Sequence, residues 1–272
     1  MENKKLLRTL LYTGIGCISL SAAITIAAPS FQGPSSVPQF HPLCLSILKD
    51  WSQDGGALDM QQCALTQSDV EVIKTPDGAY YAKRVNGEAG FMAYKPIGSL
   101  DESMELLLVY DKKNGNPITS IHFLGRIPGS ALNRAFLTTI EKGGDRCLGG
   151  VSAARLISPS ELEVDVNATV HQMLTFLTDS GSRDATSLSL KPNNYEAYAC
   201  AGTITKTYNL ISNKMNFSKV TFTRDESRKV IDKSSRCYDK VVAEQLSAPR
   251  VLDMAQYQDF LETYKQHCGN IR

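Results

Sequence analysis

The stretch GGDRCLGG, residues 143–150, decides how this chain is read. Its cysteine is either a reactive thiol among glycines or half of a crosslink. A phosphate loop is ruled out by two positions. Gly144 and Gly149 have the right separation, but Lys and then Ser or Thr must follow, and Gly150 and Val151 stand there. A nucleophilic Cys147 needs a base, and glycine N–H groups could then serve an oxyanion. His122 in SIHFLG lies well upstream on an expected strand, with no recognisable signature around it. The remaining reading is a glycine-ended helix meeting a strand beside a crosslink, and the cysteine count favours it.

The chain has 272 residues and seven cysteines, at 17, 44, 63, 147, 200, 237 and 268. Its first residues carry Lys4, Lys5 and Arg8, followed by an uncharged apolar run to Ala28. A positive start, an apolar middle and a small-residue end form a secretory signal over residues 1–27, with Thr25 and Ala27 suiting the cleavage site. Two other readings stand beside it. The run is long enough for an uncleaved anchor, and Gly16-Cys17 resembles a lipidation site. Cleavage removes Cys17 and leaves six cysteines, an even number that suits a disulfide framework in an oxidising compartment. Six cysteines allow many pairings. We expect neighbours in chain order: Cys44 with Cys63, Cys147 with Cys200 and Cys237 with Cys268. Using Cys147 for catalysis would leave an odd cysteine. The expected destination is a bacterial periplasm or the exterior.

Residues 28–42 hold four prolines with Ser and Gly and read as a linker. Residues 43–272 read as an α+β globular region of antiparallel sheets with packed helices, with a division into two subdomains near 143–150. In PLCLSILKDW (42–51), Leu43, Ile47 and Trp51 have helical spacing. Strands are expected at DVEVIKT, AYYAKRV, MELLLVY and ITSIHFLG, separated by PDG, NGEAG and KNGNP turns. SALNRAFLTTIEKGG (130–144) reads as a helix capped by Ser130, with Leu132, Phe136 and Ile140 on one face. ELEVDVN (161–167) alternates as a half-buried strand, and Asn167 is the expected cap of ATVHQMLTFL. GTITKTYNL and NFSKVTFT form a hairpin. Helices are expected in SRKVIDKSSRCYDKVVAEQL and, after a break at Pro249, in DMAQYQDFLETYKQHC with Asp253 as cap.

The chemistry-bearing residues form no recognised motif, and no stretch resembles a known family. His41, His122, His171 and His267 show no metal-ligand spacing, and no C-x-x-C occurs, so neither a metal nor another cofactor is expected. Ser130, Ser180 and Ser182 lack a nucleophile elbow. DGAYYAKRV has no kinase partner motifs. Glu161, Glu163 and Asp165 share a strand face, as a solvated face would. Apolar residues are 42% and charged residues 21%, ordinary for a globular protein. The net charge of +1 carries no basic stripe and argues against nucleic acid.

The expected function is therefore binding rather than catalysis. An exported, disulfide-bonded protein would hold another protein or an envelope component in an inhibitor, immunity-like or adaptor role. It would meet the membrane only if its N-terminus is retained. The alternative is a secreted or periplasmic hydrolase with a dispersed site. Mass spectrometry of the exported protein should find an N-terminus at Ala28 and no alkylatable thiol. A retained Met1 or free thiols would overturn the export and crosslink readings.

Overall fold

The computed structural model describes residues 40–53, 56–84, 89–101, 103–127, 134–179, 200–223, 233–246 and 250–269. The expected signal segment, Cys17, linker residues 28–39, Ser130, Ser180, Ser182 and Pro249 lie outside the described residues. Phe40, His41 and Pro42, at the end of the expected linker, are buried.

Two antiparallel sheets and four α-helices make up the described part. The first sheet contains β1 (Leu58–Asp59), β2 (Val72–Lys74), β3 (Tyr80–Lys83), β4 (Phe91–Asp101), β5 (Met104–Lys112), β6 (Ile118–Arg126) and β7 (Arg134–Asp145). Strands β2 to β7 run as a meander, and β1 pairs with the free side of β7. The second sheet contains β8 (Val151–Ser158), β9 (Glu161–Ala168), β10 (Gly202–Asn209), β11 (Lys214–Phe222) and β12 (Val251–Asp253), in the order β12-β11-β10-β9-β8. The helices are α1 (Met60–Thr66), α2 (Val170–Asp179), α3 (Lys233–Gln245) and α4 (Met254–Cys268).

Residues 134–144 form strand β7, correcting the expected helix over 130–144. Phe136 and Ile140 have helical spacing but are half-buried, whereas Ala135 and Leu137, which alternate with Phe136, are buried. Both faces of this sheet are covered, so the apolar residues no longer keep to one face. The β-branched run Thr138, Thr139, Ile140 suits a strand. Strand β4 was missed for a related reason: Met92, Ala93 and Tyr94 are consecutive and all buried, without alternation. The expected helix over 42–51 is two short 3-10 turns, Pro42–Ser46 and Trp51–Gln53. Leu43 is buried there, but Ile47 and Trp51 are exposed, so their spacing does not mark a core face.

Helix ends are defined by side-chain caps that satisfy N–H groups lacking intrahelical partners. Asp59 accepts from the backbone of Gln61 and Gln62 at the start of α1. Asp253 and Gln256 form a reciprocal capping box on α4. Thr169, rather than Asn167, caps α2: its hydroxyl accepts from Gln172 N, and Gln172 Oε1 accepts from Thr169 N. Asn167 stays in β9, where its backbone bonds to Gly149 and Gly150.

Strand β9 links the two inner cores. Its buried residues alternate, with Leu162, Val164, Val166 and Ala168 on one face. Leu162, Val164 and Val166 pack with Leu106, Leu108, Ile121 and Phe123 of the first sheet. Ala168 packs in a second core with Met173, Tyr238, Tyr257 and Phe260 from the helices. A third core lies on the opposite face of the first sheet, where Leu107, Val109 and Leu124 meet the 40–48 segment and α1. Tyr94 holds that segment: its ring stacks on Phe40 at 4.2 Å, and its hydroxyl bonds both Phe40 N and O.

A buried charge pair ties the sheets together. Lys206 Nζ on β10 lies 2.6 Å from Glu141 Oε2 on β7, and Tyr208 donates to the same oxygen. Gly143 N donates to the other oxygen at 3.1 Å. Burial pushes the Glu141 carboxyl up, but the Lys206 charge and these donors outweigh it and leave it below its ordinary value. Lys206→Met should cost about 3–5 kcal/mol in denaturant unfolding, because it strands a buried carboxylate. Adding Glu141→Met should recover much of that loss. An additive double mutant would show that the pair carries no coupling.

Candidate functional site

The structure joins Cys44 to Cys63, Cys147 to Cys200 and Cys237 to Cys268 as disulfides, with Cα separations of 6.0, 4.7 and 6.0 Å. Cys147 is therefore committed to structure. The GGDRCLGG stretch is a strand end and a tight turn, not the end of a helix. Gly143 has φ +59°, and a Cβ there would strike the Thr119 carbonyl. Gly149 N donates to Asn167 O, and Thr119 Oγ1 accepts from Val151 N at 2.6 Å.

The base considered for Cys147 has a different hydroxyl beside it. His122 Nε2 lies 2.7 Å from Ser120 Oγ. Both residues point to the same face of β6, two positions apart. His122 Nδ1 lies 3.2 Å from Thr139 Oγ1, and Thr139 is its register partner on β7. Behind Thr139 stands Asp50, which accepts from Thr139 N at 2.7 Å and from Ser52 N at 2.9 Å. The Ser52 hydroxyl also donates to the Asp50 carboxylate. The β6–β7 register breaks on either side of Ile121, between Ser120 and His122. Such breaks bend a strand and re-aim its side chains.

Electrostatics sets the state of each group. Burial raises the Asp50 carboxyl, but hydrogen bonds from Ser52 and Thr139 outweigh it and hold it at about 2. Burial pushes the His122 imidazole down to about 4, against the opposing pull of the Asp50 charge. The imidazole is neutral at pH 7 and must hold its proton on one nitrogen. In the tautomer that carries its proton on Nδ1, Thr139 Oγ1 accepts it. Nε2 is then an acceptor for the Ser120 hydroxyl. Chemically, the array can take a proton from Ser120.

Asp50 and Trp51 belong to one short edge segment. Asp50 bridges Leu137 at the open side of β7, and the chain enters a 3-10 turn at the next residue, Trp51. Asp50 reaches the His122 face, while Trp51 lies against Phe136 with ring centroids 5.3 Å apart. The Phe136 ring fills the space above Gly125, where a Cβ would collide with it. Trp51 remains 51% exposed on this aromatic support.

The other expected candidates are dispersed. His41 caps the first 3-10 turn and bonds Val70 O at 3.0 Å. His171 is exposed, and His267 bonds Thr263 O within α4. On the polar face of β9, Glu163 pairs with Arg155 and Lys219, and Asp165 accepts from buried Thr205 at 2.6 Å. Among the described residues no cluster of His, Cys, Asp and Glu could hold a metal. A shallow depression lined by Asp69, Glu71, Tyr81 and Lys83 lies at the β2 edge, apart from Ser120. Sequence reasoning missed the Ser120 array. S-I-H at a two-residue spacing on a strand was its only local signal, and Thr139 fell in the stretch read as a helix.

Comparison with known proteins finds no matching family model, no similar curated sequence and no similar solved structure.

The buried imidazole makes stability depend on pH with a definite sign. The unfolded chain takes up a proton near the ordinary 6.5, whereas folded His122 refuses it until about 4. Its contribution is complete above pH 6.5 and is lost as pH falls toward 4, by roughly 3 kcal/mol in all. The melting temperature of His122→Gln should therefore fall less than wild type between pH 7 and pH 4.5. Parallel curves would show that His122 protonates freely in the folded protein.

Proposed function

We propose that this chain is an exported, disulfide-stapled protein that binds a protein or a cell-envelope component. The observation that carries this reading is Trp51: a large aromatic side chain left half exposed, yet supported from behind by Phe136 over Gly125. Tryptophan held rigidly at a surface supplies contact area at little entropic cost, as binding anchors do. Three disulfides support an oxidising destination, the periplasm or the exterior. No helix among the described residues is long and apolar enough to cross a membrane. The proposed leader is residues 1–27, followed by a tether.

A second reading, an exported hydrolase, is favoured by one specific observation: the 2.7 Å bond between Ser120 Oγ and His122 Nε2, with the imidazole backed by Thr139 and Asp50.

Photo-crosslinking in intact envelopes tests the binding reading. Trp51→p-benzoylphenylalanine should give a discrete higher-mass adduct, and the same replacement at Lys240 on α3 should not. Trp51→Ala should leave the melting temperature within a few degrees of wild type. Equal crosslinking from both positions, or none from 51, would defeat the assignment of Trp51 as the contact.

A further inference from the structure

The geometry points to Ser120 as an acyl-accepting nucleophile, with His122 as its general base and Thr139 and Asp50 as the residues that position the imidazole. This deepens the hydrolytic reading and rests on it. A serine hydroxyl attacks only if a base takes its proton as the new bond forms. The base must lie within about 2.6–3.2 Å and present a lone pair. His122 Nε2 meets the distance at 2.7 Å. The lone pair belongs to the tautomer with its proton on Nδ1. Asp50, ionised and fixed by Ser52 and the Thr139 backbone amide, places a negative charge behind the imidazole. Thr139 Oγ1 accepts from Nδ1–H, which frees Nε2. This is the logic of a serine–histidine–acid site, with a threonine inserted between imidazole and carboxylate. The β6–β7 register shifts twice between Thr119 and His122, so Ser120 has no register partner on β7.

The reaction balances without a cofactor. Ser120 Oγ forms a bond to the acyl carbon while its proton moves to His122 Nε2. The tetrahedral adduct collapses, the alcohol leaves with that proton, and water then releases the acid by the same route. The substrate class follows from access. Ser120 is half-buried on a sheet face, and the described depression lies elsewhere. An acyl group small enough to reach a half-buried hydroxyl is therefore required.

The test uses the full-length protein recovered from its native compartment, a fluorophosphonate probe and p-nitrophenyl acetate. Peptide mapping should place one adduct on Ser120, absent in Ser120→Ala. Labelling should slow about a hundredfold or more in His122→Gln, the scale of a lost general base. Thr139→Val should slow labelling and shift the imidazole proton from Nδ1 to Nε2 in ¹⁵N spectra, while Thr139→Ser restores both. A merely structural Thr139 would change melting without changing the tautomer. Folded wild type with no adduct at Ser120, or equal labelling in His122→Gln, overturns the assignment. An adduct on another serine that persists in Ser120→Ala overturns this site but keeps the hydrolase reading. No adduct anywhere, with acetate hydrolysis at the buffer rate, overturns both. If His122→Gln does not fold, Thr139→Val and its serine rescue decide the question.

Discussion

The chain has only five residues, 146 to 150, in which to leave one sheet and begin the next, and much of the inner architecture depends on that turn. β7 ends at Asp145 and β8 begins at Val151. Between them Cys147 is bonded to Cys200, next to the first residues of β10. The turn is closed by backbone bonds to Asn167, and β8 is held to β6 by Thr119. A crosslink between residues 53 apart removes much of the freedom of the unfolded chain, worth about 3–4 kcal/mol in the loop-entropy picture. It also sets where the second sheet can lie. From there Leu162, Val164 and Val166 meet the first sheet, and each large apolar side chain so buried contributes roughly 1.5–3 kcal/mol.

The same placement explains a costly feature. Bringing β10 against β7 buries Glu141, and a lone buried carboxylate would not be tolerated. Lys206, Tyr208 and the Gly143 amide compensate it from three directions. Gly143 has a further role, since its left-handed backbone lets the strand pass close to Thr119. The glycines that first suggested a phosphate cradle are thus needed for close approach of backbone to backbone.

On the other face of the first sheet, the 40–53 segment does for function what the turn does for the fold. Tyr94 fastens Phe40, and the Cys44–Cys63 bond fastens the 3-10 turn to α1. The segment then reaches the edge of β7 at Asp50. One two-residue step, from the Asp50 bridge into the 3-10 turn at Trp51, supplies both Asp50 behind His122 and Trp51 over Phe136. The candidate nucleophile and the candidate binding anchor are consequences of one edge contact, made by residues about 90 positions away in sequence from β7.

Legibility in the sequence follows the physics of each element. α4 was readable because Tyr257, Phe260, Leu261, Tyr264 and Cys268 keep one face and Asp253 caps it. β9 was readable because one of its faces is buried and the other is polar, so its alternation is clean. β4 and β7 were not, since a strand covered on both sides loses that alternation. The Ser120 array was illegible for a stronger reason. Its four residues come from β6, β7 and an edge segment, and only the strand register places Thr139 opposite His122. By itself the sequence determined the α+β class, the helix α4, the strand β9 and the β10–β11 hairpin, because these depend on residue type and short spacing. Which hydroxyl faces which imidazole, which carboxylate backs it and which aromatic stays at the surface were decided only by tertiary structure, because each depends on contacts between segments distant along the chain.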